Sequence, residues 1–230
     1  TTGRFLKQKY NLTSSVTDQS DELLQAAKQQ YADGIRFFVV NAPSSELKTL
    51  SSELGSDALI FNAGSADDTL RSTQCLSNVL HTLPSRAMLT DALAQWLKAK
   101  RLNKVLMING TTPDDAAYSS AFKRAAKRFG LKIVGEKQWT FDTDLRRMAQ
   151  KEMPIFTQGK EYDVVFVADE RGDFGEYVLY NTWLPRPVVG TQGLTPVAWH
   201  RVLEQWGAAQ LQTRFSKLSD RWMNSEDYAA

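Results

Sequence analysis

Apolar residues recur along the chain in two alternating rhythms. Leu23, Leu24, Ala27 and Tyr31 fall on one helical face, Gly34 stops them, and residues 35–40 follow as a strand-length apolar run. Leu47, Leu50 and Leu54 repeat the helical spacing up to Gly55, and residues 58–61 repeat the strand. A third helix is predicted from near Ser85, with Leu89, Leu93, Trp96 and Leu97 inward, ahead of a strand over 105–108. The clearest helix comes next. Thr112 can cap it, Pro113 suits its first turn, Asp114 and Asp115 favour its positive end, and Tyr118, Ala121, Phe122, Ala125 and Phe129 form its stripe up to Gly130. Residues 132–141 and 163–167 read as two more strands with a helix between them.

Helix, glycine and short apolar strand, repeated this often, predict an α/β fold with mainly parallel sheets covered by helices on both faces. In such sheets ligands bind beyond the carboxyl ends of the strands. The residues there are Asn41-Ala42, Asn62-Ala63-Gly64-Ser65, Asn109-Gly110-Thr111-Thr112 and Asp169-Glu170, all small or polar, which turn chemistry would also select. Residues 67–84 are too irregular for a helix and too long for a simple turn, so they read as a crossover from one sheet to another.

With 230 residues, 42% hydrophobic and 23% charged, the composition is that of a soluble globular protein of one or two domains. A net charge of +2 with both signs interleaved argues against a nucleic-acid partner. Cys75 is the single cysteine, which excludes an internal disulfide and a cysteine-based metal cluster. The opening Thr1-Thr2-Gly3-Arg4-Phe5-Leu6 reads like the tail of a helix, and flanking elements are expected beyond both ends.

Catalytic machinery is not evident. No dinucleotide fingerprint, phosphate loop or nucleophile elbow is present, and His81 and His200 have no neighbouring ligand at metal spacing. Cys75 with His81 as base, or Asp169 with Glu170 as an acid/base pair, are the enzymatic alternatives. Adjacent carboxylates on an extended segment point to opposite sides, which weakens the second. Phe174, Tyr177, Tyr180, Trp183, Trp199 and Trp206 could sandwich a planar ligand or simply pack in a core. Arg86, Arg171, Arg186, Arg201 and Arg214 could pair with carboxylates or lie at the surface.

The order of elements resembles the type I periplasmic solute-binding proteins of ATP-binding-cassette (ABC) transport systems. The run from Asn78-Val79-Leu80-His81-Thr82-Leu83-Pro84-Ser85-Arg86 to Gln95 is similar to the subfamily associated with pyrroloquinoline quinone (PQQ)-dependent alcohol oxidation. So are Ala125-Ala126-Lys127-Arg128-Phe129-Gly130, the segment from Tyr162 to Glu170, and Pro196-Val197-Ala198-Trp199-His200. The resemblance implies two Rossmann-like lobes joined by a hinge, residues 1–83 plus 213–230 and residues 84–212, with the first lobe incomplete at both ends. It implies a monomeric, non-enzymatic periplasmic receptor that closes on one small ligand and serves ABC-transporter membrane subunits. No cofactor and no metal would be required.

PQQ is the ligand the resemblance favours; another metabolite linked to alcohol oxidation, an amino acid or an amide is the alternative. Carried over by position, Asn62 and Ser65 fall in the first lobe's ligand loop, and Thr111, Thr112, Asp169, Glu170 and Phe174 in the second lobe's loops. Where amino-acid-binding members usually have an acid that pairs with the ligand's ammonium, this chain has Gln192, which removes that partner, tolerates an anionic ligand and disfavours an amino acid. His81, Arg86, Trp199 and Arg201 complete the expected set, with Arg86 and the amides near Ser85 as a carboxylate pocket and Trp199 as a stacking face. A regulator's sensory domain shares this fold and is a third possibility.

Overall fold

The structure, a computed structural model, describes residues 6–140, 144–203 and 205–230, without the side chain of Trp206. Residues 1–5 of the expected helix tail, Phe141 of the expected strand and the Trp206 ring therefore lie outside the described residues. The chain forms two compact units. The first runs to Ser65 and resumes over Thr69–Thr82; the second takes Ala66–Asp68 and Leu83–Ala229.

The first unit contains α1 (Ser20–Ala32), β1 (Phe37–Val40), α2 (Ser44–Glu53), β2 (Leu59–Asn62) and β3 (Val79–His81). Its strands form a parallel sheet in the order β1-β2-β3. Phe38, Ile60 and Val79 stand in one row across it and, with Val40, pack on Ala27 of α1 and on Leu47 and Leu50 of α2. Each such side chain removed from water contributes about 1.5–3 kcal/mol. The other face differs from the expectation of two covered faces, because Phe37, Val39 and Leu80 are exposed among the described residues. A four-residue apolar run reads alike whether one face or both are buried. β3 lies inside the stretch read as an irregular crossover; with three residues it is too short to show an alternation.

The second unit contains α3 (Arg86–Ala99), β4 (Lys104–Asn109), α4 (Pro113–Phe129), β5 (Lys132–Gln138), α5 (Leu145–Phe156), β6 (Val164–Ala168), α6 (Gly175–Val178), β7 (Val188–Gly190), α7 (Ala208–Ser219) and α8 (Ser225–Ala229). All four strands are parallel, in the order β5-β4-β6-β7. Here both faces are covered, as β6 shows by being buried at all five positions. Val105, Met107, Val164 and Phe166 face Leu93 and Leu97 of α3 and Tyr118, Phe122 and Ala125 of α4. Leu106, Ile108, Val165 and Val167 face Leu145, Ala149 and Met153 of α5 and Val178 of α6.

Local chemistry sets the ends of α4. Thr112 and Asp115 form a reciprocal capping box, Pro113 opens the helix, and Gly130 closes it at φ +69°. Ala230 groups with the first unit and residues 213–229 with the second. In that unit Trp199, Ala208 and Met223 form a small core with Phe215, and Gln212 accepts the Met223 N–H.

Candidate functional site

In the second sheet the chain runs from β4 to β5 on one side and returns to β6 on the other, so the topological switch point lies between β4 and β6. Open parallel sheets bind ligands at that point, beyond the carboxyl ends of the strands. Two loops meet the requirement: Gly110–Thr111–Thr112 after β4, and the residues from Asp169 to Phe174 after β6.

Buried carboxylates tie these loops down. Asp115 accepts the Thr112 N–H at Oδ2 (3.0 Å) and the Glu170 N–H at Oδ1 (2.7 Å), joining the start of α4 to the loop after β6. A side chain at Gly110 would place its Cβ 2.2 Å from Asp115 Oδ2, so this approach requires glycine. Asp169 accepts from the backbone N–H groups of Asp173 (2.9 Å), Phe174 (2.9 Å) and Gly175 (2.6 Å), folding the loop back on its own first residue. Its own N–H donates to Thr191 Oγ1 at 3.0 Å.

Above them sits an ionic cluster. Arg86 Nε and Nη2 lie 2.7 Å from Glu170 Oε1 and Oε2, and Nη2 also reaches Asp114 Oδ1 at 2.7 Å. Burial disfavours the guanidinium charge, but the hydrogen bond and charge of Glu170, then Asp114 and Asp67, more than offset it and hold the proton above the ordinary arginine range. Burial, reinforced by Glu170, likewise pushes the Tyr118 phenol well up. Ser85 caps α3 through the Met88 N–H, and the Ala87 N–H goes to Asp68, which also pairs with Arg124. The amides expected to make a carboxylate pocket with Arg86 thus include two that are capped by this chain's own side chains.

In the first unit the loop after β2 is organised by Asn62, which is fully buried. Its Oδ1 accepts from Gly64 N–H (3.2 Å) and Ser65 N–H (2.8 Å), and its Nδ2 donates to the Ser65 carbonyl (2.8 Å) and meets His81 Nδ1 at 2.9 Å. A Cβ at Gly64 would fall 2.2 Å from Asn41 Oδ1, so the loops after β1 and β2 are packed together.

The structure therefore brings together Arg86, Thr111, Thr112, Asp169, Glu170 and Phe174 in one unit, and Asn62, Ser65 and His81 in the other. Phe174 is buried and stacks on Trp139 (centroids 5.6 Å apart, 16° between planes) rather than standing free. Gln192 packs over Gly175, where an added Cβ would be 2.6 Å from its Cγ. Trp199 is buried and stacks on Tyr228 at 5.0 Å, with its faces in the small C-terminal core instead of a ligand wall. Arg201 lies against the Trp222 ring at 5.8 Å. As an acid/base pair, Asp169 and Glu170 are separated by their partners: three backbone amides for one, Arg86 for the other. Cys75 is exposed, and Asn62, not Cys75, holds His81 Nδ1. Asp115 and Thr191 also hold these loops; the Thr112-x-x-Asp115 spacing is the sequence signal for the first, and no spacing marks the second.

No protein-family profile and no curated protein sequence matches the chain. Solved structures do. One is a leucine-, isoleucine-, valine-, threonine- and alanine-binding protein from Brucella ovis in a closed conformation, with TM-score 0.70 and 14% identity over 92% of this chain and 60% of that one. Another is an ABC transporter substrate-binding protein from Desulfitobacterium hafniense in complex with leucine, with TM-score 0.70 and 16% identity over 97% and 69%. A third is an ABC transporter solute-binding protein from R. palustris in complex with benzoate, with TM-score 0.64 and 13% identity over 93% and 64%. The chain thus spans 60% to 69% of the length of these structures. Likeness at this identity establishes the fold: α/β with parallel sheets, the type I periplasmic-binding-protein fold. No helix among the described residues is long and apolar enough to cross a membrane.

Proposed function

We propose that this chain is the solute-binding component of an ABC-type transport system, acting in the periplasm as a monomer, holding one small ligand and returning it unchanged to the transporter's membrane subunits. The observation that carries this reading is the pinned switch point. Its two loops are held in place before any ligand arrives, by Asp115 and Asp169, which suits recognition by preformed polar groups. Three solved structures sharing the fold are solute- or substrate-binding or amino-acid-binding proteins. The acid and base side chains that turnover would need are committed to backbone or ion-pair partners, which favours binding over chemistry.

For the ligand, the charges around Arg86 favour an amino acid or an amide over PQQ. One guanidinium faces the two carboxylates of Glu170 and Asp114, so the cluster carries a net negative charge, and the three carboxylates of PQQ would be repelled there. The carboxylates of Glu170 and Asp114 would supply the partner for an ammonium that Gln192 does not, and Gln192 offers an amide both a donor and an acceptor.

Thermal shift and titration calorimetry with leucine, other amino acids, amides, benzoate and PQQ test this. An amino acid or amide is expected to bind one-to-one and, at a hundred times its Kd, to stabilise the protein by about 2.7 kcal/mol. Saturable PQQ binding would reverse the ligand assignment, and sustained consumption of any of these compounds would remove the receptor reading altogether.

A further inference from the structure

We infer that His81 is the positioning residue for the loop at the carboxyl end of β2, and that a proton on its ring releases that loop. Asn62 and His81 are direct partners in the parallel β2/β3 pair. The orientation of the Asn62 amide is fixed from its other side, because Oδ1 takes the Gly64 and Ser65 N–H groups and cannot turn away without abandoning both. The group facing the ring is therefore the donor Nδ2, and His81 Nδ1 must accept from it at 2.9 Å. Only a ring with Nδ1 unprotonated can do so.

All four hydrogen-bonding positions of the Asn62 amide are then in use, and Asn62 itself has no exposure to water. A second proton on the ring would set N–H against N–H. The amide could present oxygen to the ring only by flipping, and flipping would turn its N–H groups toward those of Gly64 and Ser65. One proton would therefore undo the turn that shapes residues 62–65. The other surroundings of the ring come from the 3₁₀ turn Asp68–Arg71: the Leu70 backbone accepts a hydrogen bond, and the charge of Arg71 faces the imidazole. Burial first, then Arg71, hold the His81 pKa below its ordinary value, with the Leu70 bond opposing them. With the folded-state pKa lowered, the pinned loop is fully present above the ordinary histidine pKa and is lost as pH falls through the lower, folded value. That residues 62–65 meet solute rests on the proposed function; the link from ring to loop does not.

Amide and ring resonances of the intact, ligand-free chain, followed by NMR from about pH 8 to about pH 4.5, read the switch directly, since one other histidine, the exposed His200, needs to be assigned. The Gly64 and Ser65 amides are expected to shift with the midpoint of the His81 ring, and Ser65 exchange protection to fall about tenfold or more below it. His81→Gln, whose side-chain carbonyl can accept from Asn62 without titrating, should keep the high-pH amide positions and abolish their pH dependence. Amides that stay still through the His81 midpoint, or that titrate unchanged in His81→Gln, would overturn the inference. Because no ligand is present, either result stands apart from whether the loop binds solute.

Discussion

Arg86 and Glu170, separated by 84 positions in sequence, form a bidentate ion pair with both nitrogen–oxygen distances at 2.7 Å. The Arg86 side chain keeps 12% of its surface exposed and that of Glu170 keeps 27%, so the pair is partly desolvated. Arg86→Ala would leave Glu170 and Asp114 facing each other without a cation. Breaking a fully buried pair costs about 3–5 kcal/mol; with this much exposure a loss of about 2 kcal/mol is expected in urea denaturation. Asp114→Asn and Arg171→Ala, at side chains 67% and 68% exposed, should each change stability by less than about 0.5 kcal/mol. Equal effects of all three would show that the pair does not hold the loops.

Two glycines with positive φ separate backbone conformation from steric contact. Gly190 has φ +116°, and an added Cβ would lie 2.2 Å from the Val167 carbonyl oxygen, a backbone atom of the neighbouring central strand. Gly34 has φ +96° with nothing within 4 Å of the added atom. Gly34→Ala should cost about 1–2 kcal/mol, the price of the left-handed conformation alone. Gly190→Ala adds the clash and should cost more than about 3 kcal/mol. Denaturant midpoints of the two variants give the comparison, and similar midpoints would mean that β7 does not pack against β6 as described.

Phe122 of α4 stacks on Phe166 of β6 with centroids 3.8 Å apart, and neither ring is exposed. Phe122→Ala should cost about 3–5 kcal/mol through lost burial and a residual cavity. Phe122→Leu keeps most of the volume and should cost under about 1.5 kcal/mol. An alanine variant as stable as the parent would move the core of the second unit elsewhere.

How far the sequence could be read depended on the length of each element. α4 was legible to its caps because Thr112, Pro113, the stripe and Gly130 all agree over 17 residues. β3 and β7 were not, since three residues carry no period, and Pro187 ahead of β7 reads as a turn. The loops of the candidate site were legible as loops. The roles of Asn62, Asp115 and Asp169 were not, because the side chains that suit a ligand also suit a backbone turn, and here the backbone takes them. The Arg86–Glu170 pair leaves no spacing signal at all.

Asp169 offers the sharpest separation between a residue that touches ligand and one that shapes the loop. Its Oδ2 accepts from both the Phe174 and Gly175 N–H groups and its Oδ1 from the Asp173 N–H, all with the side chain buried. Asp169→Asn replaces one of these acceptors with a donor, so whichever way the amide turns, at least one of these N–H groups is left facing N–H. That leaves a backbone donor unsatisfied and also removes the charge that strengthened the other bonds, for an expected loss of about 2–3 kcal/mol. Asp169→Glu does not rescue it: the extra methylene displaces the carboxylate from N–H groups that already meet it at 2.6–2.9 Å in a buried position. Hydrogen exchange at Phe174 and Gly175 should accelerate in both variants before any ligand is added. If instead both amides keep their protection and stability changes by less than about 0.5 kcal/mol while ligand affinity falls, Asp169 contacts the solute and the anchoring role is wrong.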